Sequence, residues 1–377
     1  MQQDTLNLVD RVIRLSSKDH PADDVLRQTL KAQAGLRPEL ATQVSQTVFA
    51  YYRWFGWLNP DQPIKTQIQS ALDLARKFST DPVSFADAEL LARAVPAWVK
   101  DEMPFTPEWL RAIQAEPRLW LRARAGQGTS LVETLKRCRL FGPGPLADIV
   151  EYQGQRDLFR TAAFHAGEFE LQDISSQAVG LICDPKPGET WFDACAGEGG
   201  KLLHLSDLMQ NKGLIWAADR ALWRLQRLKR RAARAQVFNY RTAIWDAGSK
   251  LPTKTKFDGV LVDAPCSGIG TWQRNPHARW TTRIHDVQQL AELQMTLLSR
   301  AAPSLKPGGK LVYSVCTLSR AETIGVAQRF DREFPQFNRA PITNPLKSSE
   351  PASHLFLWPQ EFGGNGMFIA AWARKEG

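Results

Sequence analysis

The chain contains 377 residues, of which 43% are hydrophobic and 23% are charged. This composition is typical of a folded globular protein that is long enough for two or three domains, and it excludes a disordered chain. No apolar run approaches the roughly 18 residues of a membrane span. The first four residues also lack the basic and apolar segments of a signal peptide, so we expect a cytoplasmic protein.

The net charge of +9 favours a polyanionic partner, which makes nucleic acid the first class of ligand to consider. The cysteines are odd in number and widely spaced, and they form no Cys-x-x-Cys pair with a nearby histidine. We therefore expect thiols, with no disulfide framework and no metal site. The five cysteines are Cys138, Cys183, Cys195, Cys266 and Cys316.

Residues 1–115 are predicted to form a helical domain. Their apolar residues recur with a period near 3.6, and Pro21 and Pro38 stand where prolines commonly begin a helix. Thr106 is a predicted N-cap. No cluster of catalytic or ligand-binding residue types occurs here. Further helical patterns cover residues 64–78, 85–99 and 107–115.

Residues 116–168 are predicted to form a small α/β module. Its predicted elements are a strand at Leu119–Ala125, a helix at Ser130–Leu140, a strand around Leu146–Tyr152 and a short helix from Asp157. The predicted Ser130–Leu140 helix would carry Cys138 on its apolar face, so we expect this cysteine to be a core residue, like Cys183.

Residues 169–377 alternate apolar strands with amphipathic helices, which is typical of a mainly parallel sheet with helices on both faces. Strands are predicted at Thr190–Cys195, Leu214–Asp219, Val237–Ala243, Gly259–Asp263, Lys310–Cys316 and Met367–Trp372. Helices are predicted at Lys201–Gln210, Ala221–Ala235, Asp286–Leu305 and Ala321–Phe334.

A glycine-rich loop follows the first strand of this sheet. The segment Asp193–Lys201 has glycines at positions 197, 199 and 200, which let the backbone approach a ligand at the start of the next helix. Asp219 ends the second strand, where a carboxylate accepts hydrogen bonds from a ribose in nucleotide-binding α/β folds. These features predict a nucleoside site, although oxidoreductases use the same arrangement.

Two later strands end in cysteines. Asp263 and Cys266 follow one buried strand, and Cys316 ends the next. Because ligands of open α/β sheets bind at the carboxyl ends of the strands, we expect both thiols at the rim of the nucleoside site. Two thiols and a carboxylate suit nucleophilic addition to a pyrimidine ring better than hydride transfer. A buried cysteine beside a turn aspartate is the purely structural alternative for Asp263 and Cys266.

The predicted helix Ala221–Ala235 is rich in arginine and lysine and contains no acidic residue. One interpretation is a solvated helix face, because arginine-rich helices are common. The other is a surface that contacts RNA phosphates, which agrees with the basic charge of the chain.

The order and spacing of these motifs resemble the S-adenosylmethionine-dependent RNA cytosine-5 methyltransferases typified by bacterial Sun (Fmu) proteins. The resemblance covers residues 172–377. Residues 41–58 also resemble part of a NusB-like helical domain, and residues 116–168 resemble a ferredoxin-like module. The motifs that carry the main resemblance are Gln172–Gln177, Asp193–Lys201, Asp263–Gly268, Arg274–Pro276, Trp280, Lys306–Gly309 and the strand ending in Cys316.

The resemblance implies an α/β class I methyltransferase fold, which is Rossmann-like with a mainly parallel seven-stranded sheet. In the implied site Asp219 would hold the ribose, Asp246 would lie beside the adenine and Asp263 would face the methyl-transfer centre. The residues that would wrap the methionine and adenosine portions of S-adenosylmethionine are Cys195, Ala196, Gly197, Glu198, Gly199, Gly200 and Lys201.

The implied mechanism assigns different roles to the two cysteines. Cys316 would add to carbon 6 of cytosine, because a thiolate is the side chain best suited to add and later leave. Asp263, in its protonated form, would donate to ring nitrogen 3. Cys266, or a water that it positions, would assist elimination of the adduct.

The sequence departs from the family pattern at three places. Gly197-Glu198 replaces the usual Ala-Pro pair of the loop, which puts an additional carboxylate near a cationic ligand. Cys316 is flanked by Val315 and Thr317, where the family has Thr and Ser. Glu322-Thr323 replaces the usual Glu-Asn pair after the nucleophile.

We therefore predict an RNA cytosine-5 methyltransferase that acts on ribosomal RNA as a monomer, without a metal and without a membrane. One alternative is a transfer RNA methyltransferase. Another is a noncatalytic RNA-binding or ribosome-assembly factor that retains the fold, and a third is a nicotinamide oxidoreductase, which leaves the two rim cysteines unexplained. Candidate RNA contacts are Arg220, Arg224, Arg227, Arg230, Arg231 and Arg274.

Overall fold

The computed structural model describes residues 3–33 and 35–376; the predicted first domain also includes Met1, Gln2 and Ala34, which lie outside these ranges. Residue contacts separate two compact units. The first comprises residues up to Pro117 together with Gly268–Val287, and the second comprises Arg118–Ser267 and the residues from Gln288 onward. The division into three domains at residues 115 and 168 stays a prediction.

The described residues of the first unit up to Pro117 form helices and turns. The predicted helix at 85–99 is interrupted: one helix ends at Arg93 and the next begins at Val99. The segment between them contains Pro96, and proline cannot continue a helix. The predicted N-cap is confirmed: the Thr106 hydroxyl accepts a hydrogen bond from the Trp109 amide at 3.4 Å. The helices are α1 (Gln3–Leu15), α2 (Ala22–Lys31), α3 (Pro38–Arg53), α4 (Ile64–Thr80), α5 (Asp87–Arg93), α6 (Val99–Glu102) and α7 (Pro107–Gln114).

The second unit begins with a small antiparallel sheet. Its elements are β1 (Leu119–Ala123), α8 (Gly128–Leu135), β2 (Cys138–Leu140), β3 (Ile149–Tyr152), α9 (Ala162–His165) and β4 (Phe169–Leu171). The strand order β2-β3-β1-β4 is the βαββαβ arrangement of a ferredoxin-like module. The predicted helix ends early, because Lys136 and Arg137 have φ of 58° and 48°, which a right-handed helix does not allow. Cys138 therefore lies on a strand, and its predicted helical placement is wrong.

The larger sheet of the second unit has a parallel centre and an antiparallel edge. Strands β5 to β9 pair in parallel, β12 pairs antiparallel with β9, and β10 and β11 pair antiparallel with β12. Before and within the parallel part lie α10 (Ile174–Cys183), β5 (Thr190–Asp193), α11 (Gly200–Leu208), β6 (Leu214–Asp219), α12 (Leu222–Arg234), β7 (Tyr240–Ile244), β8 (Phe257–Asp263), α13 (Pro276–Thr281), α14 (Ile284–Ala301) and β9 (Leu305–Val315). After it follow α15 (Val326–Glu333), β10 (Phe337–Arg339), β11 (His354–Leu357), α16 (Pro359–Phe362) and β12 (Met367–Arg374).

The predicted α/β, Rossmann-like class I methyltransferase fold is confirmed, with a sheet of eight strands rather than seven. Strands β10 and β11 had no sequence prediction, because three or four residues are too few to display a period of two. No helix in the described part of the chain is both long and apolar enough to cross a membrane.

Alternate residues of the central strands pack on opposite faces of this sheet, as strand geometry requires. On one face Trp191 and Leu261 pack with buried residues of α10, α11 and α12. On the other face Phe192 and Val260 pack with α14 and α15. Cys183 is buried on α10, as predicted. The two apolar layers hold the strand ends in a fixed register.

Residues 268–287 belong to the first unit although their neighbours in sequence belong to the second. Arg279 on α13 is fully buried there. Its guanidinium donates to the backbone oxygens of Ala94 at 3.0 Å and Ile113 at 2.8 Å, and to Gln114 Oε1 at 2.6 Å. Burial and the nearby Arg53 lower the pKa of Arg279 to about 9, so it stays charged at neutral pH.

Candidate active site

A cavity of about 440 Å³ lies where strands β5, β6, β8 and β9 end, entirely within the second unit. All three predicted catalytic residues, Asp263, Cys266 and Cys316, line it. Of the predicted cofactor-binding residues, those that line it are Cys195, Ala196, Gly197, Glu198, Gly200, Lys201, Asp219, Asp246 and Asp263. The strand ends therefore bring together groups that are up to 123 positions apart in the sequence, from Asp193 to Cys316.

Gly199 shapes the loop without lining the cavity. Its φ of 88° suits glycine, and a Cβ at this position would lie 2.7 Å from Leu228 Cγ on α12. Helix α11 begins at the next residue, Gly200. The glycine therefore allows the loop to turn tightly into the helix while α12 packs close to it.

Asp219 holds the loop in place from the end of β6. One carboxylate oxygen accepts the Gly197 amide at 3.0 Å, and the other accepts the Ala221 amide at 2.8 Å. The residue is only 5% exposed, so these hydrogen bonds are protected from competition with water. Asp219 thus fixes the loop, and each of its oxygens keeps a second lone pair for a ligand.

The unusual Glu198 carboxylate forms an ion pair. Arg227 on α12 donates to it at 2.7 Å, and Arg231 donates to the Glu198 backbone oxygen at 3.1 Å. The additional negative charge of the loop is therefore offset by a cation from the adjacent helix. Glu198 and Arg227 were both predicted site residues, but they are 29 positions apart, so no local pattern indicates that they pair.

Lys201 and Asp263 form a second ion pair beside the cysteines. Lys201 Nζ lies 2.6 Å from one carboxylate oxygen of Asp263, and the Ser314 hydroxyl donates to the other at 2.7 Å. Burial alone would lower the pKa of Lys201, but the Asp263 carboxylate and the neighbouring Cys316 raise it above its usual value. Asp263 is therefore a hydrogen-bond acceptor at both oxygens in this arrangement.

The two predicted catalytic thiols lie next to each other. Cys266 Sγ and Cys316 Sγ are 3.3 Å apart, and both residues are thiols. Cys266 follows β8 and Cys316 follows β9, and these two strands pair in parallel. The adjacency expected from the strand order is therefore observed directly.

Asp193 is a buried acid for which no role was predicted. It ends β5 and lines the cavity, and its exposed fraction is 1%. Neither carboxylate oxygen has a partner at hydrogen-bonding geometry within the described chain. Burial, followed by the Asp263 charge, raises the pKa of Asp193 to about 7, and Lys201 and the Cys195 amide only partly oppose this. Its position at the end of a strand, like that of Asp219, was the sequence feature that could have identified it as a site residue.

The predicted RNA contacts have different environments, and their role stays a prediction. Arg220 and Arg224 line the cavity, whereas Arg231 pairs with the buried Glu170 at 2.8 Å. Arg230 is exposed, and Arg274 is an exposed residue of the first unit.

Among the residues that the structure describes, no group of three or more His, Cys, Asp or Glu side chains is arranged to hold a metal ion.

Residues 180–373 match the family described as 16S rRNA methyltransferase RsmB/F, and this segment includes the loop and both cysteine-bearing strand ends. The chain belongs to this family. It is 36% identical over 222 residues to the Bacillus subtilis protein named "Probable ribosomal RNA small subunit methyltransferase B", a match that covers 57% of this chain and 50% of that protein. The chain spans about half the length of the first two curated relatives that it matches.

Two further comparisons extend this result. The chain is 36% identical over 210 residues to the tRNA (cytosine(72)-C(5))-methyltransferase NSUN6 of Mus musculus, covering 52% of this chain and 40% of that protein. The crystal structure of PH0851 superposes with a TM-score of 0.80 over 99% of both chains. Its sequence identity is 23%, so this second likeness supports the fold alone.

Proposed function

We propose that the chain is an S-adenosylmethionine-dependent RNA cytosine-5 methyltransferase that acts on ribosomal RNA. The observation that carries this proposal is the pair of thiols, Cys266 and Cys316, at 3.3 Å beside the cavity. Covalent addition to a pyrimidine needs a thiol there, whereas hydride transfer does not. Membership of the RsmB/F family supports both the reaction and ribosomal RNA as the substrate class.

The cavity suits the charge of S-adenosylmethionine, which carries a sulfonium and an ammonium group. Asp193, Asp219, Asp246 and Asp263 line it, and the buried carboxyl of Asp193 has an unused acceptor. In this proposal Asp219 holds the ribose, Asp246 lies beside the adenine, and the loop Cys195–Lys201 wraps the remainder. When bound, S-adenosylmethionine supplies the methyl group that carbon 5 of cytosine accepts.

Cys316 is the proposed nucleophile. Once the thiol has lost its proton to solvent, its sulfur forms a bond to carbon 6 of cytosine, and the electron pair of the 5,6 double bond makes carbon 5 nucleophilic. Ring nitrogen 3 takes up a proton in this step. In this proposal Asp263 relays the proton from the Lys201 ammonium, which lies 2.6 Å from its carboxylate, to ring nitrogen 3. The proton returns from nitrogen 3 to Lys201 along the same path when the adduct is eliminated, which leaves neutral 5-methylcytosine.

Cys266 is the proposed base for release. Its thiolate, or a water that it positions, removes the proton from carbon 5, and the 5,6 double bond forms again. The bond between Cys316 and carbon 6 breaks with the electron pair returning to sulfur. One thiol therefore carries out addition and the other assists elimination. For this reason the alanine variants of the two cysteines are expected to behave differently.

The experiment compares Cys316→Ala, Cys266→Ala and the double variant with labelled 16S ribosomal RNA on a denaturing gel. Cys316→Ala should lose methylation by several orders of magnitude and form no covalent band, because the nucleophile is absent. Cys266→Ala should accumulate an RNA–protein band that the double variant lacks. Cys138→Ala, which removes a cysteine outside the cavity, should behave as the wild type.

Two results would contradict the proposal. A covalent band with Cys316→Ala would reverse the roles of the cysteines, and full activity in either single variant would exclude the two-cysteine mechanism. The similarity to the tRNA-modifying NSUN6 makes transfer RNA the second candidate substrate. Parallel assays with a transfer RNA transcript therefore decide the substrate class, and a folded protein that binds RNA without methylating either substrate would be a noncatalytic factor.

A further inference from the structure

Glu322 is a buried carboxyl that the proposed reaction does not use. It lies in a π-helical turn, Ala321–Gly325, a few residues after Cys316, and it is fully buried. Such turns are rare and occur frequently at functional sites, because the wider turn redirects side chains. Burial raises the pKa of Glu322, while hydrogen bonds from Ser267, Ser319 and Gln294 oppose this shift.

Five neutral donors converge on this carboxyl. Oε1 accepts the Ser267 amide at 2.8 Å and Gln294 Nε2 at 3.0 Å. Oε2 accepts the hydroxyl of Ser267, that of Thr317 at 3.1 Å and that of Ser319 at 2.9 Å. The hydroxyls of Ser267 and Thr317 also lie 2.9 Å from each other. A carboxyl that is this well satisfied is a rigid connection between the segments that supply its donors.

These donors are the immediate neighbours of the two cysteines. Ser267 follows Cys266, and Thr317 follows Cys316. Gln294 adds a further restraint, because its Nε2 also donates at 2.9 Å to the backbone oxygen of Pro265, the residue before Cys266. One carboxyl thereby restrains both cysteine-bearing segments, whose thiols lie 3.3 Å apart.

We propose that Glu322 is a positioning residue that sets the separation of the Cys266 and Cys316 thiols and thereby directs the covalent RNA adduct towards release. This inference rests on the proposed function. In this proposal Glu322 does not contact the base and acts through Ser267 and Thr317, which follow the two cysteines. When the connection is loosened, Cys316 can still add to cytosine, but Cys266 no longer reaches carbon 5. The adduct then persists.

The first test measures thiol separation without RNA. Diamide takes two electrons and two protons from the thiol pair, which forms a disulfide while diamide becomes a hydrazine. In the full chain, Thr317→Val with Ser267→Ala should slow the Cys266–Cys316 disulfide by about tenfold, because the effective concentration of one thiol at the other falls. Peptide mass spectrometry measures the rate. Thr296→Val is the matched control, because within the described part of the chain its hydroxyl bonds to the Glu292 backbone oxygen on α14 and to no residue near the cysteines.

The second test measures the fate of the adduct. Thr317→Val and Ser267→Ala should accumulate the covalent RNA band seen with Cys266→Ala, with a lower kcat and unchanged calorimetric affinity for S-adenosylmethionine. Glu322→Gln should rescue release relative to Glu322→Ala, because the amide oxygen keeps an acceptor and the hydroxyls can rotate. If the unfolding temperatures of these variants equal that of the Thr296→Val control, general destabilisation is excluded as the cause.

The outcomes separate the two proposals. If the wild type does not methylate RNA, the proposed function fails, and the disulfide rates still decide whether Glu322 sets the thiol separation. If the wild type methylates RNA but the loosened variants form the disulfide at the wild-type rate, the positioning role is overturned. If the disulfide slows while RNA release stays at the wild-type rate, the proposed effect on release is wrong.

Discussion

Each acidic side chain around the cavity has a different environment, and this difference sets its role. Asp219 accepts backbone amides, Asp263 accepts an ammonium and a hydroxyl, and Glu198 pairs with Arg227. Asp193 has none of these partners within the described chain. Residues of the same chemical type therefore divide into loop anchors, ion-pair members and one buried acid whose ionisation is opposed by its surroundings.

The pH dependence of stability should reveal Asp193. Its pKa of about 7 in the folded protein lies above the usual aspartate value, so the native state binds more protons than the unfolded state between about pH 4 and 7. Stability from this group is therefore lost as the pH rises through that window, by at most about 4 kcal/mol at 1.36 kcal/mol per pKa unit. Asp193→Asn should remove this loss of stability, because an amide does not ionise.

Denaturant unfolding of the cofactor-free protein from pH 4.5 to 8 provides the measurement. Asp193→Asn should be more stable than the wild type at pH 8, and the difference should close towards pH 4.5. Asp246→Asn, at an exposed position of the same cavity, is the matched control. A constant difference across the pH range would mean that Asp193 is already ionised at the acidic end.

The basic side chains of helix α12 have different environments, because only some of them meet a buried acid of a neighbouring element. Leu225 and Leu228 face the core, while Arg231 and Arg234 pair with Glu170, which is 3% exposed. Arg231 and Arg234 are therefore held in ion pairs within the second unit, while a role of this helix in RNA binding stays a prediction. Arg230 and Lys229 are exposed and form no ion pair within the described residues.

Salt dependence of RNA binding should separate the two sets of side chains. Arg230→Gln with Lys229→Gln should flatten the log-log salt slope by about one to two units, because each phosphate contact contributes about 0.7 to 0.9. Arg231→Gln with Arg234→Gln should leave the slope near its wild-type value and lower the unfolding temperature, because Glu170 then stays buried without its cations. Equal slopes for the wild type and the Arg230→Gln, Lys229→Gln variant would show that these two side chains do not contact phosphates and form a solvated face.

At the scale of the whole molecule, the chain forms most of the first unit, continues into the second unit and later returns to the first. Residues 118–267 belong to the second unit, Gly268–Val287 return to the first, and the remainder belongs to the second. The resemblance assigned Arg274–Pro276 and Trp280 to the methyltransferase part, whereas these residues belong to the first unit. Trp280, for example, donates to the Tyr52 backbone oxygen at 2.7 Å. A boundary drawn at one sequence position therefore does not separate the two units.

Stability of the first unit should depend on Arg279. Arg279→Met keeps a long apolar stem but leaves the backbone oxygens of Ala94 and Ile113 without their donor, so we expect a loss of about 2 to 4 kcal/mol in the free energy of unfolding. Arg283→Met, at an exposed position of the same segment, should change it little. Chemical denaturation followed by tryptophan fluorescence gives both values. Equal stability of the two variants would show that the Arg279 hydrogen bonds contribute nothing net.

The sequence by itself determined the elements and the rim of the site. Strand β6 was predicted at its observed bounds, and Asp219, Asp263, Cys266 and Cys316 were placed at strand ends. This was possible because burial on both faces leaves a continuous apolar run, and because parallel strands present their carboxyl ends at one edge. Strand order and the chemistry of the terminal residues then predict which groups meet.

Only the tertiary structure decided which side chains are partners. Glu198 with Arg227, Glu322 with Ser267 and Gln294, and Arg279 with the helical unit all join positions that local patterns cannot connect. Periodicity states which face of an element is buried, but a hydrogen bond requires two atoms within about 3 Å. That distance depends on how separate elements pack in space, so it becomes visible only once the chain is folded.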